Sequence, residues 1–300
     1  MTPRSTNASY GPHFSQDSPL GNTNFDCAVF DFDAFAILEW NLPSLSTANF
    51  ALNLDSNHGL VFDDFDRSRI VYHMRDIPIE ISLPLPPPTE LNRIIKQYFE
   101  YVSQITPWLH VSSFSVRTCP TDLLLLFFAI GDVFSSEKML ERWARQASAY
   151  LILQNVEEFE NSRRVLPLLT IQALGMYAVE LAYSGDPQKI ARSMRYRVCI
   201  ACACQDRLRE EVEENKFDAE ESWVSWVSRE SRRRTLTHLH HAEMSISLHL
   251  GLPPMLKLSD LTIPLTSSNE VWFAGSESQW QELYIMESRV QRCAVRSFAR

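Results

Sequence analysis

The chain reads as an all-α protein, a multi-helix array of about seven helices preceded by a disordered acidic arm. Three observations predict this. From residue 90 onward, apolar residues recur at three- and four-residue spacing between recognisable helix starts and stops. No segment in that region alternates as a strand would. Residues 1–89 differ in kind, with eleven Asp or Glu against four Lys or Arg (net −7), whereas the rest hold 26 against 24 (net −2).

Composition bounds the answer further. Of 300 residues, 45% are hydrophobic and 11% aromatic, enough for a real core. With a net charge of −9 and no basic tract, the chain lacks the electrostatic footprint of a protein that grips a phosphate backbone alone. Six cysteines, at 27, 119, 199, 202, 204 and 293, follow a polar N-terminus with no apolar leader, which predicts reduced thiols in an intracellular chain. The longest apolar run, Leu123 to Ile130, falls far short of the roughly 20 residues a membrane helix needs, so no membrane partner is expected.

Taken in order, residues 1–88 form the arm. Thr2 to Asn24 is rich in Ser, Asn, Pro and Gly and cannot bury enough surface to offset chain entropy. The run from Phe25 to Trp40 then interleaves Asp26, Asp31, Asp33 and Glu39 with Phe25, Phe30, Phe32 and Phe35, and Leu60 to Asp66 is a weaker echo. Acids interleaved with aromatics are the composition of amphipathic activation segments, whose charges keep the rings solvated until a partner offers a groove. The competing reading is a short edge strand with Phe30, Phe32 and Ala34 on one face, though Val, Ile and Thr are scarce. Leu83 to Pro88 is a polyproline spacer expected to hold the next element off the arm.

Residues 89–300 are the helical domain. Thr89 caps a helix over residues 90–104 whose inner face carries Leu91, Ile94, Ile95, Tyr98, Phe99 and Val102. A loop through Pro107, Leu109, His110, Val111 and Phe114 leads to Pro120-Thr121-Asp122, a helix start. Leu123 to Phe128 is apolar nearly all round, so this helix belongs at the centre of a bundle. Ser135 or Ser136 caps the third helix, with Met139, Leu140, Trp143 and Ala147 facing in. The fourth begins near Leu166-Pro167 and ends at Ser184-Gly185, and Asp186-Pro187 opens the fifth, to about residue 212. Glu210 to Glu221 is expected to be a solvated connection.

The longest helix runs from about Ser222 to Leu250 and stops at Gly251, with Pro253 beyond. Its inner stripe is Trp223, Trp226, Val227, Leu236, Leu239, Ala242, Ile246 and Leu250, and a last helix, Ser278 to Ala299, carries Trp280, Leu283, Ile285 and Val290. Trp223, Trp226, Glu230, Arg232, Arg233 and Arg234 form the one dense constellation. As a nucleic-acid patch it is short, and only part of it can face one way. As a structural motif, Glu230 precedes Arg234 by four residues in the favourable orientation on a partly buried line, where an unpaired acid would be costly.

Other constellations carry no chemistry. Cys199, Cys202 and Cys204 sit on a small-residue helix face, and His238 lies 36 residues after Cys202, so buried thiols are expected rather than zinc ligands. His238 to Glu243 lacks metalloprotease spacing and reads as a chance cluster on a polar helix face. There is no phosphate-binding Gly-rich loop and no Gly-x-Ser-x-Gly elbow, so no enzyme is predicted.

The order of Tyr98-Phe99, Pro107, Leu109-His110, Phe114, the Leu123 to Gly131 run, Ile171 to Leu174 and Gly185-Asp186 resembles the fungal-specific transcription factor domain. The likeness is strongest in Glu230 with Arg232-Arg233, then Gly251 to Pro254, Asp260-Leu261 and Pro264, and it covers about two thirds of the chain. The resemblance implies a helical regulatory region of a nuclear transcription regulator, often governing metabolic or secondary-metabolite genes. The arm would then recruit transcription machinery or a co-regulator, while the domain senses, restrains, or forms a homo- or heterodimer. No zinc-cluster array and no finger-type Cys and His pairs precede the domain, which counts against direct DNA binding by this chain. No cofactor is expected, zinc entering only with a DNA-binding module outside it. Family members commonly continue with further helices, so a shortened member is expected.

Overall fold

The computed structural model describes residues 58–75, 77, 85–103, 105–135, 138, 140–162, 165–214, 222–257 and 263–298, the side chains of 58, 212–214 and 288–298 excepted. The Phe25 to Trp40 run, Ser136, Met139 and Asp260-Leu261 lie outside the described residues, as does the side chain of Val290. Among the described residues there are nine α-helices and no strand.

Helix α1 (Asp64–Met74) opens on a reciprocal cap: Asp66 N–H donates to Asp63 Oδ1 at 2.9 Å, and Asp63 N–H donates to Asp66 Oδ2 at 3.4 Å. Just before it, Asn92 clamps the backbone of Phe62, accepting from its N–H at 2.6 Å and donating to its carbonyl at 3.1 Å. Leu60, Phe62 and Ile70 are buried in the main core, and the Phe62 ring meets Phe128 edge-on at 5.7 Å. The acidic-aromatic segment Leu60 to Asp66, assigned to the arm on composition, is therefore part of the folded body. Its alternation of acids and rings is an N-terminal helix cap beside a core plug.

Helix α2 (Pro88–Tyr101) starts on a proline whose missing N–H costs nothing there, and buries the expected face of Leu91, Ile94, Ile95, Tyr98 and Phe99. The proline stretch before it is not a free spacer from Leu85 on. Leu85 is buried, and the carbonyls of Leu85 and Pro86 accept from the Arg67 guanidinium at 2.7 and 3.2 Å. Two 3-10 turns, Val111–Ser113 and Val116–Thr118, then carry a loop whose Trp108, Leu109, Val111, Phe114 and Val116 are all buried.

Helix α3 (Thr121–Gly131) is the centre, with all eleven residues buried. Its near-continuous apolar sequence is required because it packs against α2, against α4 (Glu141–Ser162) and against α5 (Leu168–Ala182). At its end a Cβ on Gly131 would overlap the Ile94 carbonyl oxygen, so glycine sets how closely α3 approaches α2. Helix α4 departs from expectation at its start. It begins at Glu141, and its cap is Asp132, whose Oδ2 accepts from the N–H groups of Leu140 and Glu141 at 2.7 and 2.8 Å. Ser135 instead binds Arg93 and Gln97 on α2.

Helix α5 packs on α6 (Pro187–Glu214) and on α7 (Trp223–Leu250). Asp186 Oδ1 accepts from Gln188 N–H at 2.8 Å at the start of α6, and Ser222 Oγ accepts from Ser225 N–H at 3.2 Å at the start of α7. Gly251 closes α7 in the left-handed conformation (φ 65°), with Leu252 N–H donating to Ser247 O at 2.8 Å, the geometry that favours glycine there. A single turn, α8 (Asn269–Trp272), and α9 (Glu277–Phe298) complete the fold. They gather with the start of α7 around a second, smaller core of Trp226, Val227, Val271, Trp272, Ala274 and Trp280.

Candidate functional site

The constellation on α7 occupies the seam between these two cores. Glu230 and Arg234 lie one helical turn apart, 2% and 3% exposed, with Arg234 Nε donating to Glu230 Oε1 at 2.9 Å. The other four guanidinium hydrogens face four acceptors. Nη1 points at Pro107 O (3.3 Å) and Asn269 Oδ1 (3.1 Å), and Nη2 at Ser267 O (2.5 Å) and Ser268 O (3.5 Å). Glu230 Oε1 also accepts from Ser267 N–H at 2.8 Å, and the guanidinium lies 4.6 Å over the Trp272 ring. One buried ion pair thus fastens the Pro107 loop, residues 267–269 and α8 to the long helix.

Burial pushes the Glu230 carboxyl above its usual range even with Arg234 and the Ser267 N–H beside it, and lowers Arg234. Such a pair fixes geometry better than it adds stability, because desolvation of both charges offsets their attraction.

The neighbouring arginines are also paired with carboxylates. Arg233 Nε meets Glu211 Oε1 at 2.5 Å, and Arg232 reaches Glu211 at 3.4 Å and Glu210 at 3.7 Å. Glu211 is completely buried. The expected solvated connection from Glu210 is therefore corrected: α6 continues to Glu214, and its last turns lie against α7 because arginines there need counter-charges. All three arginines thus have carboxylate partners inside the fold.

Trp223 and Trp226 pack into the second core, which Arg234 also reaches over Trp272. Trp226 lies 5.9 Å from Trp272 and 5.4 Å from Trp280, and Trp280 stacks on Tyr284 at 5.3 Å. His110 presents its edge to this group, 4.9 Å from Trp272 and 5.8 Å from Trp223. Burial, with Arg234 nearby, lowers its pKa to about 4, so the ring is neutral at pH 7.

A second hub escaped the sequence reading. Arg197 on α6 pairs bidentately with Glu243 on α7, at 2.9 and 2.6 Å, and also donates to Ser247 Oγ at 2.9 Å and Pro253 O at 3.1 Å. Glu243 Oε1 accepts from Met255 N–H at 2.8 Å, so the turn after Gly251 is held by the same carboxylate. The signal was present: Glu243 sits on the apolar line of Leu239 and Ile246, as Glu230 sits on its own.

The histidine cluster is only partly on a polar face, since His241 alone of the three is exposed. His240 is 6% exposed, and burial lowers the pKa of His238, edge-on to Trp108 at 5.6 Å, to about 3. Cys199 and Cys204 are buried, whereas Cys202 is exposed, which corrects the expectation for that thiol. Among the described residues no group of three or more His, Cys, Asp or Glu is placed to hold a metal ion. No described helix is long and apolar enough to cross a membrane.

This geometry can be set beside known proteins. The profile of the fungal-specific transcription factor domain matches residues 95–298, from the middle of α2 to the end of α9. The chain belongs to that family. Both hubs and the second core lie within the match, whereas the main core also draws on Leu60, Phe62, Ile70, Leu85, Leu91 and Ile94 ahead of it. Membership makes this a transcription-regulator domain rather than an enzyme. Zinc finger protein zas1 of Schizosaccharomyces pombe is 27% identical over 183 residues, covering 58% of this chain and 20% of the relative. Zinc finger protein C11D3.17 of the same yeast is 21% identical over 269 residues, covering 81% of this chain and 42% of the relative. The chain thus spans less than half the length of these relatives. No solved structure matches it.

Proposed function

We propose that the chain is the helical regulatory part of a nuclear transcription regulator of a fungal metabolic or secondary-metabolite gene set, acting through its interactions rather than by reading DNA itself. The observation that carries this is the state of Arg232, Arg233 and Arg234. The densest cationic cluster in the chain is consumed by Glu210, Glu211 and Glu230, which leaves it turned into the fold. With a net charge of −9, little drives such a domain onto a polyanion.

In this reading the acidic-aromatic run Phe25 to Trp40 recruits transcription machinery or a co-regulator. Because Leu60 to Asp66 belongs to the folded body, the recruiting role is assigned to the run before it, within residues 1–57. Fused to a heterologous DNA-binding module, residues 1–57 should activate a reporter, and loss of output on replacing Phe30, Phe32 and Phe35 by Ala should follow. A silent fusion refutes the recruiting role.

The same occupied arginines favour a second reading, in which the chain is a non-DNA-binding helical partner, homo- or heterodimeric, of a full-length transcription factor. Chromatin recovery separates the two. Recovery on promoters only when a DNA-binding relative is co-expressed selects the partner role, and recovery from a strain lacking such relatives rejects it.

A further inference from the structure

Between the Pro107 loop and helices α5 and α7 lies a pocket of about 220 Å³. That is room for roughly seven water molecules at ~30 Å³ each, and exceeds the ~150 Å³ known to admit a benzene ring. Its walls mix two chemistries. Leu109, Phe114, Leu168 and Leu169 form apolar sides, and Ser113, Ser228, Ser231 and Gln172 supply polar groups.

The Gln172 side chain decides what the pocket wants. It is 1% exposed, and its Nε2 donates to Thr235 Oγ1 at 2.7 Å. Thr235 spends its own hydroxyl hydrogen on Ser231 O at 2.7 Å, so it can only accept from Gln172. The amide orientation is thereby fixed, and Gln172 Oε1 is left buried with no hydrogen-bond partner. A buried acceptor in that state costs on the order of 1–3 kcal/mol, and because the oxygen is closed off even from water, a donor in the pocket meets it only when a side chain of the wall shifts. No acidic or basic side chain lines the pocket, and its one titratable residue, His110, is held neutral by burial.

We propose that this pocket is a binding site for a small uncharged organic molecule, one that lays an apolar body against the leucines and Phe114 and donates a hydroxyl or amide hydrogen to Gln172 Oε1. A charged ligand would find no counter-charge there, and a pure hydrocarbon would leave the acceptor unmet. The position gives binding a route to the rest of the fold. Thr235 follows Arg234 directly, and the loop carrying Leu109 and Phe114 is the one that Arg234 holds through Pro107 O. A ligand here therefore touches both sides of the seam that the ion pair closes. The site is independent of the regulatory reading above, and its test needs no reporter.

The probe is 4-methylphenol, titrated into the purified full chain by calorimetry and followed by saturation-transfer NMR, with toluene and 4-methylbenzoate as comparators. Saturable binding of 4-methylphenol is expected, at least about fivefold tighter than toluene, with 4-methylbenzoate not binding. Gln172→Leu should remove that fivefold preference. Ser228 is exposed on α7, so Ser228→Trp should plug the mouth and abolish binding with the melting curve unchanged, which keeps the test decisive if the Gln172 variant fails to fold. The proposal is overturned if the pocket holds water only and no saturable binding occurs. Toluene binding as tightly as the phenol, or phenol binding indifferent to Ser228→Trp, overturns it equally.

Discussion

Removing the Glu230 carboxylate would strand Arg234 in a site 3% exposed, with Trp272 over its face and four backbone or amide acceptors around it. Glu230→Ala is therefore expected to destabilise the fold by about 3–5 kcal/mol, read from chemical denaturation. An unchanged denaturation curve would remove the pair from any account of this seam. Replacing both partners by apolar residues of similar volume should cost far less, since the uncompensated charge goes with them. His110 makes the second residue-scale prediction. Its folded pKa, about 4, lies below the ordinary 6.5, so between those values the unfolded chain binds more protons. Stability from this residue is whole above pH 6.5 and is lost as pH falls towards 4, on the order of 3 kcal/mol in all. In His110→Asn the acid slope in that window should flatten, as measured by melting between pH 4 and 7.

Two residues show what was legible and what was not. Glu230 could be found in the sequence because its partner lies four positions away on the same helix. Glu243 breaks the same apolar stripe just as plainly, but its partner, Arg197, is 46 residues distant on another helix, and no local spacing points to it. The Arg233 partner Glu211, 22 residues back, was hidden for the same reason.

At the scale of elements, helix interiors were readable and their ends less so. The stripes of α2, α3 and α7 follow directly from three- and four-residue spacing of large apolar side chains. The start of α4 did not, because its cap, Asp132, reaches it from eight residues upstream rather than from the adjacent position. Helix α1 was missed for a different reason. Composition weighs every residue of Leu60 to Asp66 alike, whereas the structure separates Phe62, which is 2% exposed, from Phe65, which is 63% exposed. Asp63→Ala should remove the reciprocal cap and cost about 1 kcal/mol. The measurement is amide exchange, which should quicken over residues 64–68 and remain unaltered in α3. On the other flank, Trp272→Ala empties the centre of the second core and should cost about 3–5 kcal/mol. Its signature is faster exchange in the first turns of α9, which that core holds in place.

For the molecule as a whole, the folded boundary is the testable matter. Residues 58–75 bring Leu60, Phe62 and Ile70 into the main core and tie α1 to the Pro107–Pro120 loop, where Arg69 donates to the carbonyls of Cys119 and Val116 at 3.0 and 2.9 Å. A chain beginning at residue 76 should melt several degrees below one beginning at residue 58, or fail to fold, since the buried apolar side chains of Leu60, Phe62 and Ile70 leave with it.

The Arg234 hub carries a consequence for synthesis. Pro107 O and Arg234 Nη1 are 127 residues apart in the chain, and the hub's remaining acceptors, Ser267, Ser268 and Asn269, come later still. On a ribosome, which extends a chain by about 5–20 residues each second, the Pro107 loop emerges several seconds before the arginine that fastens it. During that interval α2, α3 and α4 can already pack on one another. Vectorial folding of this protein is thus a long wait followed by a late latch, and a nascent chain released before residue 234 leaves its first half assembled with that loop unfastened.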